Sequence, residues 1–110
     1  MKKINVVKDN RDFKRIIQAS KPFKYKGYVV YYEKTDSIYK FGISVSKKLG
    51  NAVVRNKIKR QIREIISKNN YENSFNCIII VRKSYIDCDF ITNQNDLNFI
   101  FKKIGIIKEN

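Results

Sequence analysis

The sequence predicts one α+β or α/β layer fold, with elements in the order helix, two or more strands, helix, strand, helix. Three observations predict it. Tyr39, Phe41, Ile43 and Val45 alternate with Lys40, Gly42, Ser44 and Ser46, the period-two pattern of a strand. Cys77-Ile78-Ile79-Ile80-Val81 is an uninterrupted apolar run, the pattern of a central strand buried on both faces. Between the two, Val54, Ile58, Ile62, Ile65 and Ile66 fall on one stripe of a 3.6-residue period, the mark of an amphipathic helix.

The elements follow in order along the chain. Asp9 or Asn10 can cap a first helix in which Phe13, Ile16, Ile17 and Ser20 share a face, and Lys21-Pro22 ends it, because the residue before proline is pushed out of the α region. Gly27 leads into Tyr28-Val29-Val30-Tyr31-Tyr32, a β-branched and aromatic strand, and Thr35-Asp36-Ser37 reads as a turn. In the next strand the alternation sends Tyr39, Phe41, Ile43 and Val45 to a core. The other face carries only Gly42, Ser44 and Ser46 beside Lys40: either an ordinary solvated face or one open enough for a ligand backbone to lie on. Lys47 to Asn51 is a basic loop with Asn51 as N-cap of a helix from Ala52 to about Lys68. Tyr71 to Asn76 reads as a loop before the apolar run. Asp87 to Asn93 is weakly patterned, and Leu97, Ile100, Phe101 and Ile104 mark a last helix stopped by Gly105. There is no internal repeat and no linker, so residues 1–110 read as a single domain.

A chain of 110 residues with 43% apolar side chains can bury one core without a metal or disulfide. Its charge is the dominant feature: 24 Lys and Arg against 10 Asp and Glu give a net +14. Self-repulsion of that size opposes a compact state unless a polyanion is the usual partner, which points to nucleic acid, an anionic membrane surface or an acidic protein. Cys77 and Cys88 stand in a chain with no His, so zinc is poorly served, and Cys77 reads as a small buried hydrophobe. Met1 to Lys8 is basic but lacks the apolar stretch of a signal peptide, and no run reaches the roughly 18 apolar residues of a membrane span. The expectation is a soluble, cytoplasmic protein.

From Lys47 to Arg63 there are seven basic residues and no acid. On a helical wheel, Asn56, Lys59, Arg60 and Arg63 cluster opposite the isoleucine stripe, with Arg55 and Lys57 on its flanks. Ordinary surface helices interleave acids and bases; here Arg55 and Lys59, and Lys59 and Arg63, stack without compensation until Glu64. A polyanion relieves that repulsion. Arginine offers a planar fork to phosphates and base edges, lysine a point charge, and Asn56 a neutral donor and acceptor, while the helix N-terminus behind Gly50-Asn51 adds a further anion-attracting end. A merely solvated basic face is the alternative.

The segment Gly42-Ile43-Ser44-Val45-Ser46-Lys47-Lys48-Leu49-Gly50-Asn51-Ala52-Val53-Val54-Arg55-Asn56-Lys57-Ile58-Lys59-Arg60-Gln61-Ile62-Arg63 closely resembles the signature of the bacterial ribonuclease P protein component. The rest agrees in kind: an early helix with Phe13, an aromatic strand, an apolar strand ending in Val81-Arg82-Lys83, and a last helix with Phe101-Lys102-Lys103. The resemblance implies a two-layer α/β sandwich with an approximately four-stranded sheet, three helices and a left-handed β-α-β crossover (ribosomal protein S5 domain 2-like). It implies a non-catalytic subunit, one per catalytic RNA, that assists removal of the 5′ leader from precursor tRNA, with Mg²⁺ held and hydrolysis performed by the RNA. It assigns RNA contact to Lys47, Lys48, Asn51, Arg55, Asn56, Lys57, Lys59, Arg60 and Arg63. Lys57 stands at the third place of the family's Arg-Asn-Arg pattern and lacks the bidentate fork. A leader-binding cleft between the first helix and the sheet is implied at Phe13, Ile17, Tyr31 and Ser44, with Lys47 and Arg55 near its edge. On this reading the Gly42-Ser44-Ser46 face is small because unpaired RNA lies on it.

Two other classes compete. A protein nuclease acting unaided needs clustered carboxylates or a general base such as His, and neither is legible. A different basic module, such as a ribosomal protein or a membrane-surface protein, shares the charge, but a membrane helix would expose the isoleucine stripe that a core explains better. The sequence therefore assigns the protein no catalytic residue, no metal ligand, no cofactor of its own and no membrane partner.

Overall fold

The computed structural model describes residues 5–7, 9–72 and 74–108. Much of the N-terminal run from Met1 to Lys8, and Asn73 of the expected loop, lie outside them. Three α-helices and four strands follow one another as α1 (Asn10–Ala19), β1 (Phe23–Tyr25), β2 (Tyr28–Lys34), β3 (Lys40–Val45), α2 (Ala52–Ser67), β4 (Phe75–Val81) and α3 (Phe90–Ile104). Single 3-10 turns at Lys47–Leu49 and Lys83–Asp87 precede α2 and α3. Each helix starts on a side-chain cap: Asp9 Oδ1 accepts from the Arg11 N–H at 2.8 Å, Asn51 Oδ1 from the Val54 N–H at 3.0 Å and Asp89 Oδ1 from the Thr92 N–H at 2.8 Å. Gly105, at φ 76°, closes α3 in the left-handed conformation that glycine adopts without strain.

The sheet order is β1-β2-β4-β3. β1, β2 and β4 pair antiparallel, whereas β3 and β4 pair parallel, because α2 carries the chain back between them. Helices α2 and α3 form the layer over one face. The main core lies between, built from Tyr28, Val30, Phe41, Ile58, Ile62, Ile65, Ile79, Leu97, Ile100 and Phe101. Aromatic rings fill its end, with Phe41 and Tyr71 centroids 4.9 Å apart and edge-on. α1 gives partial cover to the opposite face, where Val7, Ile16 and Ile78 make a second, smaller core.

Four features differ from the sequence expectation. β1 was not legible: three residues between Pro22 and a turn carry no periodic signal, and only pairing with β2 makes them a strand. β4 begins two residues early, taking Phe75 and Asn76 out of the expected loop. The isoleucine stripe of α2 is one turn shorter than its spacing suggests: Val54 is 37% exposed, because the first turn of the helix runs past the core. Ile80, within the run read as buried on both faces, is half open on the side of α1. Cys77 is buried and Cys88 exposed, and both are free thiols. Among the described residues no helix is long and apolar enough to cross a membrane.

Candidate nucleic-acid interface

The face of the sheet toward α1 is laid out in three rows by the strand registers. Glu33, Asn76 and Lys40 form the first, Tyr31, Ile78 and Gly42 the second, and Val29, Ile80 and Ser44 the third. The first row anchors α1: Arg15 on the helix binds Glu33 at 3.0 Å, and Asn76 Nδ2 donates to Glu33 Oε1 at 2.9 Å. Glu33 is only 18% exposed in its side chain. Desolvation raises its pKa, but the bonds from Asn76 and Arg15, with the Arg15 charge, outweigh this and leave it below the usual value. In the second row α1 covers Gly42 and Ile78, whereas Tyr31 and the whole third row stay half-open. Val29, Ile80 and Ser44 therefore make a half-open, mostly apolar strip on the same face as Phe13, Ile17 and Tyr31, which pack with Ile80 against Val7, Ile16 and Ile78.

Of the residues expected in the cleft, the structure brings Phe13 and Ser44 together in one groove of about 450 Å³, lined also by Asn10, Lys14 and Lys59. Ile17 and Tyr31 share the face but lie outside that groove, toward the second row. The cations lining it are Lys14 and Lys59; Lys47 and Arg55 are not among them. Lys59 reaches it from α2 because β3 is the edge strand and leaves no further strand between. Sequence reasoning missed Val29, Ile80, Asn10 and Lys14. Val29 and Ile80 could have been found only from the pairing of β4 with both β2 and β3, which aligns them with Ser44.

The smallness of Gly42 has a different origin from the one the sequence suggests. A methyl group on its Cα would stand 2.6 Å from both Phe13 Cζ and Ile78 Cδ1. Gly42 is buried beneath the Phe13 ring, so no ligand lies on it directly; the open part of the strand is at Ser44.

The basic face is presented by the 3-10 turn and α2. Lys47, Lys48, Asn56, Lys57, Arg60 and Arg63 are exposed, and Arg55 and Lys59 are half-buried. Among the described residues the ion pairs are Arg11 with Asp9, Arg15 with Glu33 and Lys68 with Glu64, so none involves a cation between Lys47 and Arg63. Asn51 spends its carbonyl oxygen on the helix cap, leaving its amide NH₂ for other partners. Arg55 Nε is shielded from solvent and has no acceptor among the described residues. Among the described residues no three His, Cys, Asp or Glu side chains gather into a metal-binding group.

A layered α+β fold with an uncompensated basic helix beside a half-open apolar strip belongs to the class of basic proteins fitted to hold a polyanion. The ribonuclease P family model matches residues 1–105. The chain is 44% identical over 108 residues to the ribonuclease P protein component of Mycoplasma mycoides, covering 94% of this chain and 99% of that protein. It is 39% identical to that of Streptococcus agalactiae, covering 97% and 100%. Its fold matches the Staphylococcus aureus RNase P protein with TM-score 0.85 at 36% identity, covering 94% of this chain and 98% of that one. The Thermotoga maritima RNase P protein matches at 0.79 and 32%, covering 88% and 94%. The chain belongs to the ribonuclease P protein family, and its role is that of the protein component of this tRNA-processing ribonuclease.

Proposed function

We propose that the protein binds the catalytic RNA of ribonuclease P through Lys47, Lys48, Asn51, Arg55, Asn56, Lys57, Lys59, Arg60 and Arg63. In the same assembly the strip edged by Phe13, Ile17, Tyr31 and Ser44 holds the unpaired 5′ leader of precursor tRNA. The observation that carries this reading is the face from Lys47 to Arg63, on which no cation has an acidic partner among the described residues. Such a face is costly alone and favourable against phosphates. The neighbouring strip suits unstacked bases, because Phe13 and Tyr31 offer ring surfaces that any base can stack on, and Lys14 and Lys59 supply charge for the backbone.

Hydrolysis is assigned to the RNA. The chain has no His for general base work, and Mg²⁺ favours phosphate oxygens and water over an all-protein cage, so the ion is read as held by the RNA. What this chain supplies is binding and orientation: it neutralises phosphate repulsion between two RNAs and fixes the leader relative to the scissile bond. One protein per RNA, acting in the cytoplasm, completes the proposal.

The test is precursor-tRNA cleavage at low Mg²⁺ by a bacterial ribonuclease P RNA, with and without the protein. Restored accurate 5′ maturation, with an inert RNA-free control, is the expected result. Binding without stimulation would leave only a general RNA-binding module, and cleavage by the protein freed of RNA would transfer catalysis to the chain.

A further inference from the structure

On the helical side of the sheet, α2 and the 3-10 turn Lys83–Asp87 enclose a second groove of about 220 Å³. Its walls are apolar and uncovered: Val54, 37% exposed, stands on α2 and Ile86, 48% exposed, on the turn. Ile58 also lines it, and Gln61 and Tyr85 supply its polar edge. Tyr85 donates its hydroxyl to Gln61 Oε1 at 2.8 Å, which leaves the Gln61 NH₂ to meet an acceptor. Lys57 lines the groove from α2.

We propose that this groove holds one unpaired nucleobase of the catalytic RNA, set between Val54 and Ile86 with its edge toward Gln61 and its phosphate toward Lys57. The proposal rests on the reading that the face from Lys47 to Arg63 binds that RNA. Size restricts the occupant, since the volume lies below the roughly 300 Å³ at which drug-sized sites begin, enough for one ring system and not for a folded element. Charge selects it further. The α2 wall continues into the acid-free face, so a second copy of this chain, itself at +14, is repelled while RNA is attracted.

The two rims of the groove are also unlike. Cys88, which lines one rim, has the exposed Asp87 and Asp89 as its chain neighbours, and Asp89 is already engaged by the Thr92 N–H. Carboxylates there turn phosphates away, so the RNA backbone passes on the Lys57 side and the base points inward. The occupant comes from the catalytic RNA and not from the leader, because the Phe13–Ser44 groove is formed by α1, on the other face of the sheet.

Cys88 lines the groove and is the exposed thiol, while Cys77 is buried and its thiol pushed up in pKa by desolvation. Iodoacetamide alkylation of the unmodified protein thus reports on the groove. Saturating bacterial ribonuclease P RNA is expected to slow Cys88 alkylation about tenfold or more, as a seated base shields it. A blunt RNA duplex and a single-stranded leader oligonucleotide, each at saturation, are expected to leave the rate near that of the free protein. Ile86→Asn is expected to weaken binding of the ribonuclease P RNA about tenfold without changing its salt slope, because it removes apolar surface under the base and leaves every phosphate partner in place. An unchanged alkylation rate in the saturated complex overturns the proposal and leaves the RNA-binding reading intact. Equal protection by the duplex or by the leader overturns it by naming a different occupant. Failure of the protein to bind ribonuclease P RNA at all removes both.

Discussion

Phe13 sits on Gly42 so closely that the two are one packing unit: a methyl group at Gly42 would come within 2.6 Å of the Phe13 Cζ and, equally, of Ile78 Cδ1. Helix α1 can lie low over the second row of the sheet only because position 42 has no side chain. Gly42→Ala forces Phe13 or Ile78 aside, and overpacking of this kind costs about 1–3 kcal/mol. Denaturant unfolding should register that loss. The same substitution combined with Phe13→Ala should cost less than the two single effects added, since removing the ring removes the clash. Additive losses would show that Phe13 does not press on Gly42.

The site was legible in the sequence to very different depths. The basic face of α2 needed only helical periodicity and a count of charges, because every contributor lies within one continuous segment. The strip at Val29, Ile80 and Ser44 draws on three strands, and its membership is fixed by register, which no local pattern encodes. The meaning of Gly42 was read wrongly for the same reason. A small residue on a strand face signals that something comes close, and only the tertiary structure says that it is Phe13. Sequence spacing also over-extended the core stripe to Val54, since periodicity cannot tell where the opposing layer stops.

The two faces of α2 should separate cleanly under substitution. Ile62 is buried against the sheet, so Ile62→Ala should destabilise the fold by roughly 2–5 kcal/mol. Arg60→Ala and Arg63→Ala remove exposed side chains without an acidic partner and should leave unfolding almost unchanged. Each should instead lower the log–log salt slope of RNA binding by about 0.7–0.9 for every phosphate that the shortened side chain no longer reaches. Unfolding of either arginine variant would place these side chains in the core.

Acid should loosen α1 before it unfolds the rest. Glu33, held by Asn76 and Arg15, has a pKa below the ordinary 4.5, so its bonds add stability at pH above that value. The contribution is lost as pH falls through the lowered value, when the carboxyl takes up a proton and releases Arg15. The protection of α1 amides against hydrogen exchange, measured relative to their intrinsic rates at each pH, should therefore fall at low pH ahead of that of β4. In Glu33→Gln that pH dependence should be flattened. An unchanged acid profile in the variant would assign the loosening to another group.

Asn93 ties the 3-10 turn Lys83–Asp87 to the start of α3. It is 2% exposed, and its Nδ2 donates to the Tyr85 carbonyl at 3.0 Å and the Cys88 carbonyl at 3.4 Å. In return, the Asn93 carbonyl accepts from the Tyr28 hydroxyl at 2.8 Å, which links the same point to the core of β2. Asn93→Ala removes the side-chain donor from both carbonyls, leaving the Tyr85 carbonyl with only the Cys88 N–H at 3.3 Å, at a cost of about 1–3 kcal/mol. Because Tyr85 and Ile86 lie on the released turn, the loss should be felt locally as well as globally. Cys88 in the variant should alkylate faster than in the parent protein under conditions where both remain folded by circular dichroism. Asn93→Asp keeps the size but replaces the donating NH₂ with a carboxylate facing two carbonyls, so it should be at least as damaging as Ala. If Asp were instead tolerated, the donor role of Asn93 would be refuted and its burial alone would account for its presence.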